Sequence, residues 1–459
     1  MSTSSIPSPK PRQRLALLGL AAALVTGLLA GCVGGGTPAP TALPLRPTAT
    51  ADFETDALQR GLEELVAAGA PGAVIEVRVG DRVWNSGAGV ASLRSELPAS
   101  TDHTFRIASL TKPMIGAIVL QLVDEGELEL DDEFADYVPG PLDDAPEPVT
   151  VRQLLQHTSG MNDYIAQLGL EAPERIPETL TTEQEPLKLI ELATEQGWRS
   201  DPGDEYYYSN ANYIALTLLI EKIEGKPLRD SLRERITEPL GLQHTRLPEG
   251  TELAEDHLSG YFVEQGLSLE VTQQHASLWS GAGGVESTVG DVNTFMRALM
   301  GGVLVPPELL AEMTHLSADG YGLGLQARAD SCPDRAPVML PADYRPGVDA
   351  DEAEAQTAVA HPYSGDRPSS GSSSSEHEPA LAEATEGSEA EVELIEIGRA
   401  GTVYGHLGSG LGYRALTLAS PDGARQVTIA WTASPTNYGE DPRLGLAYEL
   451  ADQALSVDC

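Results

Sequence analysis

Segments typical of β-strands lie near both ends of the chain, whereas its long middle favours helices. Alternating apolar residues predict a hairpin over Gly72–Ala91, with its turn at Gly80. Tyr413–Leu418 and Gln426–Trp431 are also β-like, and a Ser-Pro-Asp-Gly turn separates them. We therefore expect strands from the two ends to share one sheet, beside which the helical middle packs as a second lobe.

Apolar residues recur at helical spacing through the middle of the chain and at its edges. The predicted helices are Asp52–Ala68, Ser109–Glu125, Val151–Gln156, Leu187–Gln196, Asn212–Glu224, Leu228–Ile236, Val289–Met300 and Asp441–Leu455. A cleft between a helical lobe and a sheet is a favoured ligand site, so we expect the functional residues at that boundary.

Residues 330–396 interrupt this pattern. They contain sixteen acidic residues against three arginines, a net charge of −13, and a run of four serines that begins at Ser372. Such a segment buries too little apolar surface to fold by itself, and we predict a solvated, disordered insert. A spacer or an interaction loop is the functional alternative.

The first residues resemble an export signal. Three basic residues precede the apolar run Leu15–Leu29, which is too short to span a bilayer comfortably. The run leads into Leu-Ala-Gly-Cys, which resembles the lipobox of bacterial lipoproteins and implies lipidation of Cys32. An ordinary secretory signal with an incidental cysteine is the alternative.

These features predict a lipoprotein signal peptide over residues 1–31, a flexible tether over 32–51 and a folded domain over 52–458 that the insert interrupts. We expect the protein to be exported and lipid-anchored to the bacterial membrane, on its extracytoplasmic side. Disulfides persist in such a compartment. Cys332 and Cys459 are then a candidate pair, but the sequence leaves a bridge and two free thiols equally open because it gives no distance.

Charge and motif content exclude several classes of function. The net charge is −40, and a protein so acidic repels phosphate backbones, so we expect no nucleic-acid partner. The nine histidines are scattered without a His-Glu-x-x-His pattern, and there is no phosphate-binding loop ending in Gly-Lys-Ser/Thr. We therefore predict no metal and no cofactor.

Ser109 and Lys112 begin the strongest helical segment, in the run Phe-Arg-Ile-Ala-Ser-Leu-Thr-Lys. A spacing of three residues places both side chains on one helix face, and the first helical turn favours negative charge on the serine oxygen. A serine hydroxyl needs a base, and a desolvated lysine can act as one. The pair alone is a weak indication, because a capping serine beside a surface lysine has the same spacing.

Two further motifs follow in the chain. Tyr208 and Asn210 lie in Tyr-Ser-Asn before a predicted helix, and a phenol beside an ammonium group has its phenolate favoured, so that it can share a proton. His406 and Gly408 lie in the run Gly-His-Leu-Gly-Ser-Gly-Leu-Gly.

The glycines of this third run would let a substrate backbone approach a strand edge. The backbone N–H groups of Ser109 and Ser409 could form an oxyanion hole. His406 would donate a hydrogen bond or a charge toward a substrate carboxylate. A glycine-rich turn with an exposed histidine is the structural alternative.

The ordered motifs Ser-x-x-Lys, Tyr-x-Asn and His-x-Gly resemble those of the serine β-lactamase and penicillin-binding protein family, in its class C and D-alanyl-D-alanine carboxypeptidase-like branch. The resemblance runs from about Leu58 to Ala454 outside the insert. It implies an α+β fold, with an antiparallel sheet flanked by helices plus an all-helical lobe. The linking segments that also resemble the family are Leu154–Met161, Pro239–Leu242, Ala282–Thr288 and Tyr321–Gly324.

The resemblance also implies roles for the motif residues. Ser109 would be acylated by the substrate, and Lys112 and Tyr208 would handle its proton, with the division between them left open. Asn210 would bind the acyl side-chain amide and help to orient Lys112.

The remaining implied roles concern the third motif and one linking segment. His406 and Gly408 would line the substrate strand, whereas His157 would be structural. The His-x-Gly form weakens the case for a dedicated β-lactamase, and the insert, whose ends flank the site, could restrict large polymeric substrates.

We therefore predict an extracytoplasmic serine hydrolase that acts through an acyl-enzyme on Ser109, of the D-alanyl-D-alanine carboxypeptidase or β-lactamase type. Its substrate would be a small acyl compound such as a D-Ala-D-Ala peptide, a β-lactam or an ester. An esterase on the same scaffold is the alternative, since a fold does not set the leaving group. A catalytically inactive binding lipoprotein is a third hypothesis, and the presence of all three intact motifs argues against it.

Overall fold

A six-stranded antiparallel sheet joins early and late strands of the folded region in the computed structural model. The structure describes residues 53–170, 172–195, 197–264, 267–317, 319–332, 338–341, 394–434, 441–457 and 459. The strands are β1 Gly72–Val79, β2 Arg82–Gly89, β3 Phe105–Arg106, β4 Tyr261–Glu264, β5 Leu267–Glu270, β6 Glu286–Ser287, β7 Gln326–Ala329, β8 Val338–Pro341, β9 Leu394–Ile397, β10 Thr402–Gly410, β11 Tyr413–Ala419 and β12 Arg425–Thr432. The large sheet has the order β2-β1-β12-β11-β10-β7, so the first strand of the chain pairs with the last.

Helices cover the sheet and form the lobe beside it. They are α1 Thr55–Ala67, α2 Thr111–Asp124, α3 Phe134–Tyr137, α4 Val151–Gln156, α5 Ile176–Thr181, α6 Pro186–Thr194, α7 Asn210–Glu224, α8 Leu228–Leu232, α9 Glu238–Leu240, α10 Ser280–Gly283, α11 Val289–Met300, α12 Pro307–Thr314 and α13 Arg443–Leu455. Short 3₁₀ turns span Ala108–Leu110, Tyr164–Gln167 and Ala276–Leu278, and a π turn spans Arg233–Thr237.

The sheet separates two apolar cores because successive residues of a strand point to opposite faces. Ile75 packs with α1 and α13 on one face, whereas its neighbour Val74 joins the larger core under α2, α7 and α11. The α+β prediction, with termini sharing one antiparallel sheet beside a helical lobe, is confirmed.

Two predicted helices differ from the structure. The segment predicted as a helix from Ser109 begins as the 3₁₀ turn Ala108–Leu110, and α2 starts at Thr111. The predicted helix Leu228–Ile236 changes from an α-helix to a π turn after Leu232. Hydrophobic spacing does not distinguish these hydrogen-bond patterns.

The predicted insert 330–396 is ordered at both of its ends, which corrects the prediction of disorder there. β8 and β9 pair as an antiparallel ladder that carries the chain into and out of the remainder of the insert, and Leu340 and Ile397 reach the large core. The prediction rested on the average charge of the whole segment, which does not reveal that its two ends are apolar. The remaining parts of the insert, 333–337 and 342–393, lie outside the described residues, as do the predicted signal peptide over 1–31 and the tether over 32–51.

Among the helices that the structure describes, none combines the length and the apolar character needed to cross a bilayer.

A buried charge pair sits where the insert begins. Asp330 accepts hydrogen bonds from both terminal nitrogens of Arg425, and both side chains are almost completely buried. Arg425 also donates to the Leu455 carbonyl at 2.7 Å. Cys332 and Cys459 form a disulfide beside this pair, with their Cα atoms 5.5 Å apart, which decides the alternative that the sequence left open.

We expect Asp330→Ala to lower the free energy of unfolding by about 3–5 kcal/mol, because the Arg425 guanidinium would stay buried without its counter-charge. Urea denaturation of the full chain measures this loss. The matched control is Glu191→Ala, which breaks an exposed pair with Lys188 and should change stability little. Equal losses in the two variants would contradict the prediction.

Candidate active site

Ser109 lies in the 3₁₀ turn that leads into α2. The preceding residue, Ala108, has a φ of +49°, a left-handed conformation that residues with a Cβ rarely adopt. Ile107 donates its N–H to the Val285 carbonyl at 3.0 Å, which holds the turn from one side. Tertiary contacts therefore impose a strained backbone on the segment that carries the serine, and only 8% of Ser109 is exposed.

Lys112 is completely buried and donates three hydrogen bonds from its Nζ. The acceptors are Ser109 Oγ at 3.1 Å, Asn210 Oδ1 at 2.8 Å and the Ala282 carbonyl at 2.6 Å. A lysine ammonium has three N–H groups, so these contacts use all of its donors. Nζ is thereby held at one place beside the serine oxygen.

Burial lowers the pKa of Lys112 to about 7, and the Asp163 carboxylate partly opposes this by favouring the ammonium. The aromatic rings of Tyr208 and Tyr213 lie 4.9 Å and 5.2 Å from Nζ and also attract a cation. Lys112 can therefore exchange a proton near neutral pH, as a general base requires.

Tyr208 approaches the same serine from the loop that precedes α7. Burial raises the pKa of its hydroxyl well above the usual value, and a hydrogen bond with Ser109 acts in the opposite direction. The sequence suggested that a nearby ammonium would favour the phenolate, but desolvation of the phenolate outweighs that effect here. Tyr208 is consequently a neutral phenol that can donate a proton or relay one.

His157 supports the loop that carries Tyr208 and Asn210. It caps α4 in a left-handed conformation with φ +59°. Its Nδ1 faces the Ser209 N–H at 3.3 Å and the Asn212 Nδ2 at 3.1 Å, and its carbonyl accepts from the Tyr207 N–H at 2.9 Å. The histidine holds the loop on both sides of Tyr208, which agrees with the structural role implied for it.

Strand β10 packs directly against the turn that carries Ser109. A Cβ added to Gly408 would lie 2.4 Å from the Ile107 carbonyl oxygen, so only glycine permits this approach. The sequence predicted that the missing side chains of these glycines would let a substrate backbone approach the strand. At Gly408 the missing side chain instead makes room for the turn that carries Ser109.

The N–H of Ser409 lies on the strand edge away from β11. Leu407 donates its N–H to Gln326 Oε1 at 3.0 Å on that edge, and N–H groups two residues apart in a strand share an edge. The predicted pairing of the Ser409 N–H with that of Ser109 is therefore compatible with the strand geometry.

His406 differs from its predicted state, because both of its ring nitrogens are occupied. Nδ1 donates to the Leu407 carbonyl at 2.8 Å, which leaves Nε2 to accept from the Tyr321 hydroxyl at 2.9 Å. Burial lowers the pKa of His406 to about 3. Of the two predicted roles of His406, a charge toward a substrate carboxylate is thus absent near neutral pH. The structural alternative, a glycine-rich turn with an exposed histidine, is also not what forms, because His406 is buried in β10.

Sequence reasoning missed three contributors to the site: Tyr321, Asp163 and the Ala282 carbonyl. Tyr321 and Ala282 lie in linking segments that carry the family resemblance, and Asp163 follows another such segment by two residues. Nothing in those segments indicates which group meets Lys112 or His406, because Ala282 lies 170 positions from Lys112 and Tyr321 lies 85 positions from His406. In the described part of the chain, no cluster of His, Cys, Asp and Glu side chains could hold a metal ion.

Comparisons with known proteins agree with the geometry. The family model described as Beta-lactamase matches residues 58–452. The putative penicillin-binding protein PbpX of Bacillus subtilis is 28% identical over 56% of this chain and 62% of its own length. The D-aminopeptidase of Brucella anthropi is 32% identical over 46% of this chain and 39% of its own length. The chain thus spans less than two thirds of the length of these curated relatives.

Solved structures share the fold over most of the chain. A D-stereospecific amidohydrolase from Streptomyces sp. is similar with a TM-score of 0.63 and 26% identity, over 82% of this chain and 94% of the other. A D-amino acid amidase from Ochrobactrum anthropi has a TM-score of 0.62 over 87% of this chain and 97% of the other, and at 22% identity it shows the fold alone.

Gly408→Ala should displace the Ser109 turn and reduce the rate of acylation at Ser109 by about a hundredfold, because a misplacement near 1 Å has that effect on oriented groups. The rate at which a fluorescent penicillin or an activated ester labels the protein measures the change. Gly250→Ala is the control, since an added Cβ meets nothing within 4 Å there. A wild-type labelling rate in Gly408→Ala would contradict the packing argument.

Proposed function

The chain belongs to the Beta-lactamase family of serine hydrolases, and from this premise we propose that it forms an acyl-enzyme on Ser109 and hydrolyses small amides or peptides. The observation that carries the proposal is the 3.1 Å contact between Ser109 Oγ and a buried lysine whose pKa is about 7. A hydroxyl becomes a useful nucleophile when such a base lies within hydrogen-bond reach.

In the proposed acylation, neutral Lys112 accepts the proton of Ser109 as Oγ bonds to the substrate carbonyl carbon. The carbonyl oxygen becomes an oxyanion, which the N–H groups of Ser109 and Ser409 would stabilise. The carbon–nitrogen bond then breaks, and the leaving amine takes a proton delivered through Tyr208. Water hydrolyses the acyl-enzyme by the reverse proton path and restores Ser109.

Lys112 is the favoured base in this scheme. It titrates near neutral pH, whereas burial keeps the Tyr208 hydroxyl protonated. Lys112 would thus be the base and Tyr208 the proton donor, a division of roles that the sequence left open. Asn210 would orient Lys112 and offer its remaining amide hydrogen to the acyl side of the substrate.

The neutral state of His406 favours a substrate without a carboxylate beside the scissile bond. D-Alanyl-D-alanine peptides and penicillins carry such a carboxylate, and His406 was the residue expected to meet it. Two relatives bear the names D-aminopeptidase and D-stereospecific amidohydrolase, which supports amides or peptides of D-amino acids as the first candidate. Carboxypeptidase or β-lactamase activity is the second candidate, supported by relatives named penicillin-binding proteins. An esterase is the third.

We also propose that the protein is exported and anchored by lipid at Cys32. The apolar run Leu15–Leu29 and the lipobox-like residues support this location. The Cys332–Cys459 disulfide is also in keeping with an oxidising compartment outside the cytoplasm.

Intact mass spectrometry of the full chain tests the acyl-enzyme. The protein is mixed with benzylpenicillin, a D-amino acid p-nitroanilide, an acetylated D-Ala-D-Ala peptide or p-nitrophenyl acetate, and adduct and product are followed together. We expect anilide hydrolysis and at least one adduct, both lost in Ser109→Ala and kept in the exposed control Ser95→Ala. Release of D-alanine, hydrolysed penicillin or ester cleavage alone would instead identify a carboxypeptidase, a β-lactamase or an esterase. No reaction with any probe would refute the proposal.

Lys112→Arg should reduce acylation by at least about a hundredfold, because arginine cannot lose its proton and general-base catalysis is worth that much or more. In the wild type, the acylation rate should rise with pH and level off above about 7, since only the neutral amine can accept the serine proton. Stopped-flow labelling between pH 5 and 9 measures both effects. The control is Lys222→Arg, which changes an exposed lysine. A flat pH profile, or an active Lys112→Arg variant, would exclude Lys112 as the base.

A further inference from the structure

We propose that Asp163 is a positioning residue of the active site, which orients the Asn210 amide toward Lys112 and places a negative charge beside that lysine. This inference rests on the proposed function, because it concerns the base of the proposed acylation. Asp163 lies outside the three sequence motifs, and its contacts connect the 3₁₀ turn Tyr164–Gln167 with the start of α7.

The Asp163 carboxylate binds two elements at once. Oδ1 accepts the Ile165 N–H at 3.3 Å and so caps the 3₁₀ turn. Oδ2 accepts Nδ2 of Asn210 at 2.8 Å, and the backbone N–H of Asn210 also bonds to this side chain. The hydrogen bond from the Ile165 N–H is sufficient to cap the short turn. The hydrogen bonds from Asn210 therefore indicate a second role for the carboxylate.

Charges on both sides determine which way the Asn210 amide points. Its Oδ1 accepts from the Lys112 ammonium at 2.8 Å, and its Nδ2 donates to Asp163. A flipped amide would place its NH₂ group against the ammonium and its oxygen against the carboxylate, and both contacts would be repulsive. The pair of charges therefore leaves one orientation, in which a single Nδ2 hydrogen remains for a substrate.

Asp163 supplies negative charge at a site whose other polar groups are neutral. Among the residues that the structure describes, the ionisable or polar side chains that face Lys112 are Ser109, Asn210, Asp163, His157, Tyr208, Tyr213 and His406. Burial lowers the pKa of both histidines and raises that of both tyrosines, so all four are uncharged near neutral pH. The carboxylate of Asp163 is the group that stabilises the ammonium form of Lys112 against burial.

Burial also raises the pKa of Asp163. The hydrogen bonds from Asn210 and Ile165 and the charge of Lys112 act in the opposite direction. A carboxylate that receives three N–H donors beside an ammonium is nevertheless well suited to keep its charge. Loss of that charge would lower the pKa of Lys112, and loss of the oxygen would also release the Asn210 amide.

The test is a pH titration of lysine side chains in the full chain by NMR, with ¹³C at the lysine Cε. The protein has five lysines, and the Lys112 signal is assigned by its absence in Lys112→Arg. Neighbouring carboxylates raise the pKa of Lys188 and Lys226, so their signals stay far from that of Lys112. We expect a midpoint near pH 7 for Lys112 in the wild type, and a midpoint lower by about one pH unit or more in Asp163→Asn.

The matched control is Asp204→Asn, which removes an exposed carboxylate from the loop before Tyr208 and should leave the Lys112 midpoint unchanged. Asp163→Ser serves as a second variant, which keeps a hydrogen-bond acceptor without the charge, should Asp163→Asn fold poorly. A Lys112 midpoint that stays at its wild-type pH in the folded Asp163 variants would overturn the inference.

Acylation kinetics give the second readout. The rising limb of the pH profile should move to lower pH in Asp163→Asn together with the NMR midpoint, and the plateau rate should fall about tenfold or more as Asn210 loses its charged acceptor. A lower plateau rate of acylation, with the rising limb of the pH profile at its wild-type position, would mean a purely structural role and would contradict the proposal. If the midpoint moves but the wild type is never acylated, the proposed function fails while the placement of Asp163 stands.

Discussion

The complete burial of the Lys112 amine is the constraint on which the site depends. Removing an ammonium from water is costly unless hydrogen bonds replace its hydration, and three acceptors do so here from three separate segments of the chain. The same burial brings its pKa near neutrality. The serine turn, the start of α7 and the backbone at Ala282 must therefore all be in place for Lys112 to play its proposed role as the base.

The boundary between the sheet and the helical lobe supplies that arrangement. β10 brings Gly408 against the nucleophile turn from the sheet side, and α7 brings Asn210 from the lobe side. His157 and Asp163 then hold the loop and the amide from behind, without belonging to any of the three motifs. Because β10 contacts the serine turn from the sheet and α7 contacts Lys112 from the lobe, the geometry of the site depends on how the sheet and the lobe pack together.

Much of this protein could be predicted from the residues alone. The alternation in β1 and the helical spacing in α7 depend on local chemistry, as does the placement of Ser109 beside Lys112. That Asn210 helps to orient Lys112 was implied by the family resemblance of the three motifs. For His406 the sequence left a hydrogen bond and a charge both open, because a ring's ionisation depends on burial and on partners such as Tyr321, which lies 85 positions away. The disorder predicted at the ends of the insert was wrong, because the average charge of a segment does not show whether a few of its residues are apolar and pack against a core.

By itself, the sequence determined the α+β architecture, because periodicity acts within a few residues, and its ordered motifs made Ser109 and Lys112 the candidate nucleophile and base. Only the tertiary structure decided the protonation states of Lys112 and His406, the orientation of the Asn210 amide and the disulfide between Cys332 and Cys459. Each of these depends on distance and desolvation between segments that are far apart in the chain. The physical reason is that burial is a property of the assembled molecule and not of any residue in it.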